Sequence, residues 1–299
     1  MFVVADGFAY RYEGLGAPAE SRALPEAVLA WQCTEHELSV ICEDGSVYGW
    51  EGADWELLWR VEWPGTLEKV AISADGNFAL GSVQHGISID TYYIHRDGTA
   101  DFLETPDNLA YVDAVWISRD NATYAYSYRM RNVEHRISRS TSDEKEAFEG
   151  GEMGVAIFSG SNYANVGHFY LDMEGDELPF HTIAYDAQHR TLFYGNQSHS
   201  LAMLNVDDGE QDYLAQPGYA DISFAASVVE TPIFAPELGF MVLRLGNGDW
   251  FLAYSNKLTD KYSVLRDKMD RKAKIIWVNL KKWPQILYVD EYFSLKSID

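Results

Sequence analysis

Chemistry that needs several side chains converging on one atom leaves short-range spacing in a sequence, and little of it is present here. Asp172, Glu174 and Asp176 stand at the 1, 3 and 5 positions of a calcium-loop pattern. Position 6, which must be glycine for the sharp turn, is Glu177, and position 12, which must be a bidentate glutamate, is Ile183. The pattern therefore lacks its turn and its strongest ligand. His181, His189 and His199 recur within one region, but without the tight spacing of a zinc site. There is no HExxH, GxSxG, P-loop or CxxC, and no cofactor or metal site is expected. Asp90, Asp113, Asp186 and Asn196 are of the type that a repeating β architecture can bring together from distant repeats.

Charge points elsewhere. The chain of 299 residues carries a formal charge of −23. Nucleic acid and anionic membrane need a basic face, so both are poor partners, and a basic protein fits better. Three segments concentrate the acid: Asp143, Glu144, Glu146, Glu149 and Glu152; then Asp172 to Glu177; then Asp207, Asp208, Glu210 and Asp212. They read either as ordinary hydrophilic turns or as one acidic surface for a basic protein. Residues 257–282 oppose this field, with Lys268, Arg271, Lys272 and Lys274 at their centre. That stretch reads as a solvated loop, or as a basic ridge for an acidic partner or for self-association against an acidic face of another copy. Tyr262–Leu265 within it is expected to be a strand rather than part of a helix.

The elements that would carry these residues are strands. Aromatics make up 14% of the chain and lie beside β-branched and small residues, which favours β structure. The clearest stretch is HTIAYDAQHRTLFYGNQSHSLAMLNVDDGEQDYL, residues 181–214, which reads as four strands separated by polar turns. Similar units are expected over 24–61, 67–103 and 111–148, and from 222 to 265. Asp-Gly turns between apolar runs mark the hairpins. In the third unit the strands are expected at 111–117, 123–128, 134–138 and 147–148, and residues 150–180 read as a short, degraded unit. Residues 2–5 and 8–12 form a hairpin, 14–22 a connection, and 275–280 and 286–295 two final strands. Turns between first and second strands near 36, 76, 120, 160, 188, 237 and 283 give a spacing that is mostly about 40–49 residues, as four-stranded blades require.

The segments VAISADGNFAL and HTIAYDAQHRTLFYGNQSHSLAMLNV resemble blades of the WD-repeat-like and YVTN-like β-propeller superfamily. The resemblance implies an all-β fold: one propeller domain over 1–299 with six or seven four-stranded blades. The N-terminal strands would join the C-terminal blade to close the ring. It implies a habit of binding other molecules and no particular reaction.

Trp55 and Trp59 alternate along a strand, which predicts that they share a face, either packed between repeats or exposed as a binding anchor. Cys33 and Cys42 fall on neighbouring antiparallel strands. A disulfide is conceivable there, and reduced buried thiols are the expectation. The N-terminus lacks the basic n-region of a signal peptide, and no run approaches the roughly 20 apolar residues that span a bilayer. The expectation is a cytoplasmic, non-catalytic, protein-binding domain, in its most concrete form an inhibitor or immunity-type protein that neutralises a basic toxin. The alternatives are a metal-dependent propeller hydrolase or lactonase, and a scaffold subunit of an assembly.

Overall fold

One turn recurs through the protein and sets its strand boundaries. The N–H of its fourth residue donates to the carbonyl of its first, and the fourth residue lies in the left-handed region. Gly45 on Cys42, Gly76 on Ser73, Gly98 on His95 and Asn121 on Ser118 all adopt this plan, with N···O distances of 2.9–3.0 Å. An L side chain at such a φ crowds the backbone, so glycine and asparagine take the place. The third residue is Asp44, Asp75, Asp97 or Asp120, and its carboxylate accepts the N–H of the residue two further on. Each turn thereby satisfies backbone groups that the strands leave over.

The computed structural model describes residues 1–34, 36–52, 54–86, 88–104, 109–118, 120–130, 153–160, 164–171, 182–187, 190–195, 202–209, 211–213, 233–235, 240–244, 250–254, 262–264, 275–278 and 286–298. All the regular structure among them is antiparallel β. No helix among the described residues is long and apolar enough to cross a membrane. The chain forms two compact units. One comprises Met1–Leu24 with Phe180–Asp299, and the other comprises Pro25–Pro179.

The first unit opens with a three-stranded sheet, β1 (Phe2–Ala5), β2 (Phe8–Arg11) and β3 (Glu20–Ala23). The third strand begins inside the stretch expected to be a connection. Pro25, which has no N–H for a ladder, lies just beyond its end.

The second unit holds three sheets. The first is β4 (Val28–Cys33), β5 (Leu38–Cys42), β6 (Ser46–Glu51) and β7 (Asp54–Arg60). The second is β8 (Thr66–Ile72), β9 (Phe78–His85), β10 (Ser88–His95) and β11 (Ala100–Leu103). The third is β12 (Leu109–Ile117), β13 (Thr123–Met130), β14 (Met153–Ser159) and β15 (Ala164–Leu171). The last sheet corrects the expected repeat. Residues 153–171 are its third and fourth strands, not a degraded unit, so the turn at 160 joins third to fourth strand. The expected strands at 134–138 and 147–148 lie outside the described residues.

Apolar side chains fill the spaces between these sheets. Ile41, Val47, Trp59, Val61, Ile72, Ala79 and Ile94 form the cluster between the first two. Phe78, Leu80, Tyr93, Tyr124, Tyr126 and Phe158 belong to the cluster between the second and third. Stacking of Phe78 on Tyr93 (4.5 Å) and of Tyr124 on Phe158 (5.7 Å) makes that layer mostly aromatic. Burying each such ring stabilises the fold by roughly 1.5–3 kcal/mol.

The first unit continues with β16 (Thr182–Asp186), β17 (Thr191–Gly195), β18 (Ala202–Asn205) and β19 (Gln211–Tyr213), the four strands expected from 181–214. Next come β20 (Ile233–Ala235), β21 (Phe240–Arg244), β22 (Trp250–Tyr254) and β23 (Tyr262–Val264). The strand expected over 222–229 lies outside the described residues. The chain ends in β24 (Ile275–Val278), β25 (Ile286–Val289) and β26 (Leu295–Ile298). The single strand expected over 286–295 is thus a hairpin whose turn, at Asp290–Ser294, carries no glycine.

The N-terminal strands do not join the C-terminal sheet as its missing members, since each set of three forms its own sheet. They meet through one antiparallel bridge, in which Gly16 and Leu295 exchange N–H···O bonds of 2.8 and 2.7 Å. Val3, Tyr12, Val289 and Leu295 are buried together beside it, and the Tyr12 hydroxyl donates to the Phe293 carbonyl at 2.9 Å. Burial, with Tyr10 and Asp290 nearby, pushes the Tyr12 phenol up to about 12, so it remains a donor.

The β4–β5 register settles the cysteines. Cys33 lies opposite Leu38 and Cys42 opposite Val28, so the two thiols sit at opposite ends of the hairpin. No disulfide can span that separation. Both are buried thiols, and burial, reinforced by Asp44 and Glu26, pushes Cys42 up to about 11. The native protein should resist alkylation by iodoacetamide at about pH 8 and take up two equivalents once unfolded. Rapid native labelling of Cys42 would contradict this placement.

Candidate functional site

The second unit brings the ends of its three sheets together through named hydrogen bonds. The Gln32 side-chain amide donates to the Ser118 carbonyl (3.3 Å), and the Ser39 hydroxyl donates to the Ala74 carbonyl (3.4 Å). The Asn121 side-chain oxygen accepts the Ala74 N–H (3.0 Å), and the Trp59 indole donates to the Gly76 carbonyl (2.7 Å). The first three bonds gather the turns between first and second strands, and the fourth ties β7 of the first sheet to that turn of the second. In a four-stranded antiparallel sheet the turns between third and fourth strands fall at the same end.

That end is acidic. Glu37, Asp75 and Asp120 lie at the turns between first and second strands, and Asp54 and Asp97 at those between third and fourth. Burial raises the Asp75 carboxyl, but hydrogen bonds from the Ser73 hydroxyl and from the backbone and side chain of Asn77 outweigh it, and the net direction is down. Hydrogen bonds from the Thr99 hydroxyl and N–H hold Asp97 down as well. These carboxylates are charged and oriented at neutral pH. Arg96 lies among them and donates to the Asn77 side-chain oxygen (3.2 Å).

The first strands show a second regularity. β4, β8 and β12 each carry a bulge four residues before their last residue, at Leu29, Glu68 and Asp113. Bulges re-aim side chains, and these three occupy one structural position in three sheets. Leu29 and Glu68 are exposed there. Asp113 is buried, and both of its oxygens accept from Arg129 on β13, at 2.9 Å each. The guanidinium in turn lies 4.6 Å over the Tyr111 ring. Asp113, of the type that distant repeats could bring together, instead orients an arginine.

Asp90 is also committed locally. Its carboxylate is 3.5 Å from the Tyr92 hydroxyl and 3.9 Å from His85 Nε2, and Tyr92 and His85 are 3.3 Å apart. Burial, then the charge of Asp90 and its hydrogen bond, raises the Tyr92 phenol, which therefore acts as a neutral donor. Asp186 is buried at the end of β16 in the other unit, and Asn196 lies outside the described residues. Among the described residues no group of three or more His, Cys, Asp or Glu could hold a metal ion.

The remaining candidates are scattered. Asp207 and Asp208 are exposed on the turn after β18, and Asp207 accepts from Arg190 at 2.6 Å. Asp212 lies on β19. Asp143, Glu144, Glu146, Glu149, Glu210, Lys268, Arg271, Lys272 and Lys274 lie outside the described residues, as do His181, His189, His199 and Asp172 to Glu177. Trp55 and Trp59 do not share a face. A bulge at Leu58 pairs Trp59 with Val47 and Trp55 with Trp50, and Val47 and Trp50 point to opposite sides of β6. Trp59 is buried in the core, while Trp55 is half-buried, its ring 5.6 Å from that of Trp50.

No protein-family model matches this chain, and a search of curated proteins finds no match either. Sequence reasoning passed over the Arg129–Tyr111 and His85–Tyr92 contacts, because strand register, not spacing along the chain, creates them.

Two outcomes test these assignments. Asp113→Ala leaves a partly buried guanidinium without its carboxylate and should cost about 2–4 kcal/mol in urea unfolding. The double variant Asp113→Leu, Arg129→Met should recover much of that loss. For Asp75, a folded pKa below the ordinary 3.8 means that its contribution is complete above that value and is lost as pH falls through the lowered one. The stability difference between wild type and Asp75→Asn should therefore hold constant above about pH 5 and shrink as the pH falls below about 4. A constant difference would show that Asp75 acts by packing alone.

Proposed function

We propose that this protein is a β-propeller that binds a basic protein through its acidic surface, as an inhibitor or immunity-type partner does. The observation that carries the reading is how the basic side chains are used. Arg11 and Arg22 pair with Glu20, Arg60 with Asp44, Arg129 with Asp113, Arg190 with Asp207 and Lys296 with Asp290. Six of the nine described Lys and Arg residues are thus matched within a chain whose net charge is −23. A field of one sign speeds encounter with an oppositely charged partner and rejects like-charged ones.

The propeller arrangement is supported by the sheets themselves. In the second unit the first strands β4, β8 and β12 lie against one another in order and share the same bulge. Innermost strands of consecutive blades do this around a central axis. The seven sheets among the described residues would each form a blade, with the Gly16–Leu295 bridge joining the chain's two ends.

The test is affinity capture from the native lysate at low salt, with high-salt elution and mass spectrometry. The reading expects one basic protein in stoichiometric amount, and reconstitution from purified components should show affinity that falls steeply with salt. A smear of ribosomal proteins alone would mean that the charge serves solubility.

A further inference from the structure

The hairpin between β25 and β26 fills the turn described above with unusual residues. Its geometry is the same: the Phe293 N–H donates to the Asp290 carbonyl at 3.0 Å, and Phe293 has φ 56°. In the four turns at Cys42–Gly45, Ser73–Gly76, His95–Gly98 and Ser118–Asn121 that left-handed place is held by glycine or asparagine, preceded by an aspartate. Here the pair is Tyr292–Phe293. A bulky ring at positive φ is an outlier that the surroundings must hold in place.

The surroundings do so. The Asp290 carboxylate accepts the N–H groups of Tyr292 (3.0 Å) and Ser294 (2.9 Å) and pairs with Lys296 (2.7 Å). The Tyr12 hydroxyl donates to the Phe293 carbonyl, and the Phe293 ring stacks on Tyr10 at 4.5 Å. Tyr10 in turn lies 6.3 Å from Phe8, two residues along the same face of β2. The result is a row of rings at the surface. Phe8 is 44% exposed, and Tyr292, next along the chain from Phe293, is 80% exposed. Large aromatics left so open, in a turn that ordinarily takes aspartate and glycine, contribute little burial to the fold.

We propose that the Tyr292–Phe293 turn, with Tyr10 and Phe8, is the docking anchor for arginine side chains of the basic protein partner; this rests on the binding reading above. Charge complementarity selects the occupant. Glu291 directly precedes Tyr292, and Asp6 lies on the turn that leads into Phe8, on a chain whose net charge is −23. A guanidinium stacks on an aromatic face while its edge donors reach carboxylates, and an ammonium does this less well. Tyrosine at a rigid, exposed turn is also the residue type that anchors interfaces.

The experiment measures fluorescence anisotropy of labelled nona-arginine and nona-lysine peptides with the full chain. It is run near physiological ionic strength, where diffuse attraction is screened within roughly 8 Å. The wild type should bind nona-arginine more tightly than nona-lysine. Tyr292→Ser should weaken nona-arginine about threefold to tenfold, with a smaller effect on nona-lysine. Phe8→Ser provides a second variant, and thermal melts confirm that each folds. If either folded variant binds nona-arginine within twofold of wild type, the anchor is overturned while the acidic-surface reading stands. If the wild type binds neither peptide, both fall together.

Discussion

The geometric demand of one turn governs this structure. A tight connection between antiparallel strands needs a residue at positive φ, and an aspartate beside it holds the freed backbone N–H groups. The turns at Ser73–Gly76, His95–Gly98 and Ser118–Asn121 share this plan at one end of their sheets, and Cys42–Gly45, between second and third strands, repeats it at the other end. At the first of these ends the Asn121 side chain reaches Ala74, Gln32 reaches Ser118 and Trp59 reaches Gly76. The acidic end of the second unit is in part a by-product of the same requirement, since Asp75, Asp97 and Asp120, which hold turns there, also supply its charge.

Arginine pairing divides that charge into used and unused parts. Asp113 and Asp44 direct their charge at Arg129 and Arg60, whereas the aspartates at 75, 97 and 120 are held by hydroxyls and amides and keep theirs. A hydrogen-bonded carboxylate presented on a fixed turn is a better steering element than one on a mobile side chain. The aromatic turn at the C-terminal hairpin supplies what charge lacks, a surface with a defined shape. Long-range attraction and a short-range anchor are the two parts that protein association ordinarily combines.

Much of the fold was legible in the chain. The strands over 181–214 and 67–103 were readable because their turns carry polar and glycine signals between alternating runs. The failures share a cause. Residues 286–295 read as one strand because Tyr-Phe is strand-like chemistry, although the chain reverses there. The shared face of Trp55 and Trp59 failed because a bulge at Leu58 has no sequence signature. Residues 150–180 read as a separate unit, although β14 and β15 complete the sheet begun by β12 and β13, because a spacing along the chain does not say which strand pairs with which.

By itself, the sequence determined the β class, the excess of negative charge and most hairpin positions, because these depend on composition and on residues close together in the chain. Tertiary structure decided the partners. Asp113 on Arg129, Tyr12 on Phe293 and the separation of Cys33 from Cys42 all arise from register between strands. A slip of one residue in register exchanges the two faces of a strand, so contacts of this kind exist only once the sheets have formed.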